Sequence, residues 1–174
     1  MKKIMVLCLL SLPVFAYQYD SGEWLLRGLL GKSVYFVQDQ MTQIDDNILS
    51  GIELEYMLNS NLSVLGALRP LFSSRSVILG FGAGVKYRFM NSDSPLIPFV
   101  SVGLTPYVYI PTVTYLKSHF DFGLRPTGGF EYFVARNLAL GIEAAINPSF
   151  VMGGGTRNTM EASFEVLVGA TWRL

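Results

Sequence analysis

Between Met160 and Leu174 every second residue is apolar: Met160, Ala162, Phe164, Val166, Val168, Ala170, Trp172 and Leu174. The residues between them, Glu161, Ser163, Glu165, Leu167, Gly169, Thr171 and Arg173, are mostly polar, small or charged. This period-two alternation is that of a strand with one oily and one polar face. Its length is the telling feature. A strand of a soluble protein runs about 5–6 residues, whereas a tilted membrane-crossing strand needs about 9–11.

The pattern recurs upstream. Val77, Leu79, Phe81, Ala83, Val85, Tyr87 and Phe89 alternate with Gly80, Gly82, Gly84, Lys86 and Arg88, and Leu138–Ile146 repeats the rhythm around Gly141 and Glu143. Eight strands are predicted, at 23–36, 50–58, 61–71, 76–90, 96–110, 118–134, 137–150 and 159–174. Tight turns at Asn59-Ser60, 91–95 and Ala135-Arg136 alternate with the mostly longer connections 37–49, 72–75, 111–117 and 151–158. The expectation is an all-β fold: an eight-stranded antiparallel up-and-down transmembrane barrel with short periplasmic turns and longer outer loops. Closure is required, because an open edge would leave backbone groups unpaired in hydrocarbon.

Periodicity fits either sidedness; chain length, an export signal and aromatic placement select apolar-out. Trp24, Tyr56, Tyr87, Phe89, Phe99, Tyr132 and Trp172 fall at the tight-turn end, and Tyr35, Phe36, Tyr109, Tyr115, Phe120 and Phe150 at the other. They are read as two aromatic girdles flanking an apolar band. Pro70, Pro98, Pro106 and Pro126 fall inside strands, where each removes a donor. They are expected near the rims, Pro98 at the periplasmic one and the other three at the outer one. The stretch Glu55–Leu62 is echoed by Glu131–Leu138, which fits a duplicated half-barrel or two similar turns.

Composition sharpens the picture at the start of the chain. Lys2 and Lys3, the apolar run 4–12 and Val14-Phe15-Ala16 form a secretory signal peptide over residues 1–16, leaving 17–174 as the barrel domain. Cys8, the single cysteine, lies within that signal, so no disulfide or thiolate metal site is expected. Loss of Lys2 and Lys3 from a chain with 13 basic and 13 acidic residues leaves −2. That balance does not invite nucleic acid.

With apolar-out assigned, the inward set holds Glu23, Arg27, Glu53, Glu55, Arg69, Lys86, Arg88, Asp121, Arg125, Glu131, Glu143, Glu161, Glu165 and Arg173. Unpaired charges in a narrow lumen are costly, so this set is read as a salt-bridge plug; an eight-stranded barrel is just filled by its own side chains. Inward glycines (Gly80, Gly82, Gly84, Gly103, Gly123, Gly141) make room for Arg and Tyr from opposite walls, or else line a small solute path. His119, the only histidine, has Ser118 and Asp121 nearby, but adjacent strand residues face opposite sides and no catalytic set follows. Asp39, Asp45 and Asp46 match no calcium-loop spacing. Gly153–Gly155 lacks the lysine and strand-to-helix context of a phosphate loop. No cofactor, metal or catalytic site is expected.

The stretches Gly128–Phe133 and Asn137–Glu143 resemble the penultimate hairpin of small outer-membrane β-barrel proteins of the OmpA/OmpX type. The closing Gly169–Leu174 is similar to their terminal strand, which usually ends in Phe or Tyr where this chain has Leu174. The resemblance implies an outer-membrane location and contact with outer-membrane lipids and lipopolysaccharide. It also implies insertion by the barrel-assembly machinery and a monomer; with no periplasmic domain after Leu174, a cell-wall tether of the kind longer relatives carry is not expected. The functional expectation is a non-enzymatic structural or surface-interaction protein with a charge-plugged lumen. The alternatives are a narrow channel for small solutes and a lipid A-modifying enzyme, although the His-x-Ser pair of barrel deacylases is replaced by His119-Phe120-Asp121.

Overall fold

The computed structural model describes residues 18–37, 47–74, 76–91, 94–112, 118–152 and 159–174. The signal peptide, the aspartates at 39, 45 and 46, Tyr115, the glycines at 153–155 and the side chain of Phe36 lie outside the described residues. Eight strands follow one another: β1 (Trp24–Val37), β2 (Ile48–Met57), β3 (Leu62–Phe72), β4 (Ser76–Arg88), β5 (Leu96–Pro111), β6 (His119–Ala135), β7 (Leu138–Met152) and β8 (Thr159–Arg173). Each pairs antiparallel with its neighbour, and β1 pairs with β8 to close the barrel. Closure removes the edges that hydrocarbon would not tolerate.

The two faces separate as alternation demands. Leu30, Val34, Ile52, Phe81, Leu104, Leu124, Ile142, Phe164 and Val168 are exposed on the outer wall, while Arg27, Glu53, Glu55, Lys86, Arg88 and Glu131 are buried inside. An aqueous protein would bury the first set and hydrate the second. The reverse arrangement suits a wall surrounded by lipid.

The ladders lapse in three places: β2–β3 between Leu49/Leu71 and Ile52/Leu68, β4–β5 between Gly80/Tyr107 and Ala83/Leu104, and β6–β7 between Gly123/Ser149 and Thr127/Ala145. Each gap contains proline: Pro70, Pro106, and Pro126 with Pro148. A proline has no N–H to give the ladder, so pairing fails there and resumes beyond. The position of Pro126 differs from the outer rim expected for it. It sits at the middle of β6, outward-facing, with register to β5 unbroken at Val102.

Near the outer end of the β1–β2 pair a side chain substitutes for backbone. The Ser33 N–H donates to Asn47 Oδ1 at 2.9 Å, and Asn47 Nδ2 donates back to the Ser33 carbonyl at 2.7 Å.

The aromatic girdles need correction. Trp24, Tyr56, Tyr87, Phe89, Tyr132 and Trp172 lie on the outer wall at the tight-turn end, and Phe120 and Phe150 on the outer wall at the other end. Trp24 packs on Tyr56 (centroids 4.9 Å) and Tyr87 on Phe89 (5.1 Å). Tyr35 and Tyr109 are not girdle residues. Both point into the lumen, as does Phe99. Their height near a strand end suggested a girdle, but parity decides the face. Tyr35 keeps step with Arg27 and Ser33, and Tyr109 and Phe99 with Ile97 and Tyr107.

Candidate functional site

The candidate site is the lumen. On β1 the inward sequence is Leu25, Arg27, Leu29, on β2 Leu49, Glu53, Glu55, Met57, and on β4 Ile78, Lys86, Arg88. On β1 and β2 the ionised residues therefore lie between apolar ones, and on β4 they follow Ile78 up to the tight-turn end of the strand. At the tight-turn end Leu25, Met57, Ile97, Phe133 and Ala139 form an apolar floor. Toward the outer end Leu29, Leu49, Leu71, Ile78, Tyr107, Tyr109 and Leu167 pack together, with Tyr35 against them.

Between these layers runs one connected ionic network. Arg69 pairs with Glu53, which lies 3.5 Å from both Arg27 and Lys86. Lys86 pairs with Glu55; Arg88 Nη2 donates to Glu55 at 2.7 Å and Arg88 Nε to Glu131 at 2.8 Å. Arg27 continues to Glu143, and Arg125 donates to Glu143 at 2.8 Å and to Glu165 at 2.7 Å. Five cations thus face five carboxylates, drawn from β1, β2, β3, β4, β6, β7 and β8. β5 contributes Phe99 instead, whose ring lies under Lys86 (4.9 Å) and Arg27 (5.2 Å), an attraction of cation to ring face.

Glycines make the space for these long side chains. A side chain at Gly82 would meet the Arg69 guanidinium, at Gly80 the Tyr107 ring, at Gly129 the Phe99 ring, and at Gly141 the Arg27 guanidinium. The room filled by arginines and aromatics is the room that glycine leaves.

The remaining four members of the expected charge set lie apart from this network. Glu23 and Arg173 pair at the tight-turn rim at 3.1 Å, each about one-fifth exposed. Asp121 and Glu161 are buried near the outer mouth. There His119 approaches Asp121 at 3.5 Å and stacks on Tyr109 with centroids 4.3 Å apart. Asn147 joins this end to the wall, donating to Tyr107 Oη at 2.8 Å and accepting from Thr105 at 3.2 Å. Among the described residues no group of three or more His, Cys, Asp or Glu is placed to hold a metal.

One member of the site gave no sequence signal. Tyr19, in the segment before β1, enters the barrel's floor, packs on Phe133 (5.1 Å), lies under Arg88 (4.8 Å) and donates to Glu131 at 3.5 Å. Arg173 secures the same segment by donating to the Gln18 carbonyl. Burial, reinforced by Glu131, raises the phenol well above its ordinary pKa, so it stays a donor. A segment outside the strands has no period to read, so nothing in the alternation marked Tyr19. Tyr19→Phe keeps the ring contacts and loses one long hydrogen bond. Its expected cost is about 1 kcal/mol or less in denaturant unfolding.

The family model described as an outer membrane protein beta-barrel domain matches residues 4–173. Among solved structures, Neisserial surface protein A is similar at a TM-score of 0.68 and 18% identity, over 88% of this chain and 98% of that one. OprG of Pseudomonas aeruginosa is similar at 0.57 and 12%, over 92% and 99%. The attachment invasion locus protein Ail of Yersinia pestis is similar at 0.52 and 13%, over 88% and 99%. No curated protein sequence matches the chain.

Proposed function

The chain belongs to the outer membrane protein β-barrel family, and from that premise we propose a non-enzymatic barrel whose lumen is closed by its own charges. Its working surface would then be the outer loops, held on a rigid wall. Residues 1–16 act as a cleaved export signal in this reading, and the barrel-assembly machinery inserts residues 17–174. Outer-membrane lipids and lipopolysaccharide surround the protein, which works as a monomer.

The observation that carries this reading is the ionic network filling the lumen, several of whose pairs skip over a strand and so cross interior space. Arg27 on β1 reaches Glu143 on β7, and Arg88 on β4 reaches Glu131 on β6. A conducting path needs sites that ions enter and leave. Here five cations sit against five carboxylates with apolar layers on both sides, an arrangement that supports a closed lumen. The purified protein in a planar bilayer is expected to show no discrete conductance steps. Steady steps at neutral pH from the unmodified chain would instead establish the narrow-channel reading.

A further inference from the structure

We propose that the β1–β8 seam on the outer wall binds a phosphorylated membrane lipid, Lys32 holding the phosphate and the groove below it an acyl chain. The outward positions of the eight strands are apolar or uncharged, and Lys32 is the one charged side chain facing out among the described strand residues. No ion pair or hydrogen bond links it to another described residue. Its backbone neighbour across the seam is Val166, so no described residue of the wall neutralises it.

Its height fits a headgroup. Eight positions of β1 separate Lys32 from Trp24, which at roughly 3.3 Å per residue and a tilt of roughly 40° places it about 20 Å above that residue along the barrel axis. An apolar band of about 25 Å then ends just above it, within reach of a flexible stem that carries its ammonium toward the interface. A compact cation at that level suits a phosphate, to which lysine binds as a point charge.

The wall below Lys32 is hollowed along the same seam. Gly28 and Ala170 face each other in register and form the floor of an open groove, bordered by Leu30, Leu140, Val168 and Trp172. A Cβ on Gly28 would meet only the Trp172 ring, at 3.7 Å, so the hollow comes from missing side chains and not from tight backbone approach. From Lys32 down to Gly28 is four positions, about 13 Å. A lipid tail hanging from a phosphate at Lys32 would lie along that length. The proposal rests on the outer-membrane placement and is independent of whether the lumen is closed.

The test uses the protein in non-ionic detergent, with bound lipid read by native mass spectrometry. The probes are bisphosphorylated lipid A, the same lipid without phosphates, phosphatidylglycerol and inorganic phosphate. The unmodified chain is expected to prefer phosphorylated over dephosphorylated lipid A at least tenfold. Lys32→Met should erase that preference, Lys32→Arg should keep it, and Gly28→Leu should weaken both forms at least tenfold. Equal binding of phosphatidylglycerol would assign the site to phospholipid and lipid A alike. An unchanged preference in Lys32→Met, or displacement of lipid by millimolar inorganic phosphate together with an inert Gly28→Leu, would overturn the proposal. Heat-modifiable gel migration of each variant reports that the barrel has formed. Bilayer conductance of the same samples tests lumen closure separately.

Discussion

Glu53→Leu is expected to cost about 3–5 kcal/mol of unfolding free energy, read by urea titration of the protein in lipid vesicles. Glu53 is buried and serves three cations: Arg69, Arg27 and Lys86. Its removal leaves those cations short of a partner where water does not reach, and breaking a buried pair from one side carries a penalty of that size. Arginine has no escape by deprotonation. Glu23→Leu provides the contrast. Its partner Arg173 and the carboxylate itself are partly exposed at the rim, where an ion pair is worth about 1 kcal/mol or less. Equal costs for the two variants would mean that the lumen is hydrated and its charges are screened.

Leu104→Arg is expected to cost about 2–4 kcal/mol in the same assay, and Ile110→Arg on the same strand about 0–1 kcal/mol. Leu104 lies at the middle of β5, in register with Ala83 and Leu124, and faces outward. Ile110 faces the same way close to the outer end of the strand. A charge at mid-depth of the hydrocarbon is costly, while one near the boundary reaches water. The depth gradient separates lipid contact from ordinary strand packing. A uniform cost at both positions would remove the apolar wall from the membrane.

Period-two alternation made the strands legible from sequence because a two-sided wall forces it on every crossing segment. The shared face of the charged residues was legible for the same reason: parity groups Arg27, Glu53, Lys86 and Glu131, and the export signal and aromatic placement then turned that face inward. Partner choice was not. Arg27 on β1 meets Glu143 two strands away on β7, a contact fixed by strand tilt and stagger that no linear spacing encodes. Tyr35 and Tyr109 were misassigned where height near a strand end was allowed to outweigh parity. The apolar layers at Leu29, Leu71 and Ile78 were hidden because leucine and isoleucine suit both faces of such a wall. Tyr19 belongs to no strand, and its place under Arg88 became visible only once the barrel's floor was seen.

The spread of the charge network over seven strands bears on how the protein assembles. Arg27 near the start of the chain depends on Glu143 near its end, and Arg88 in the first half depends on Glu131 in the second. A partly built sheet would carry cations whose counter-charges had not yet arrived, in a setting that penalises them. Intermediates are therefore disfavoured at every stage short of the final seam. Insertion should proceed as an all-or-none event in which the last strand's arrival and the cancellation of charge are one step.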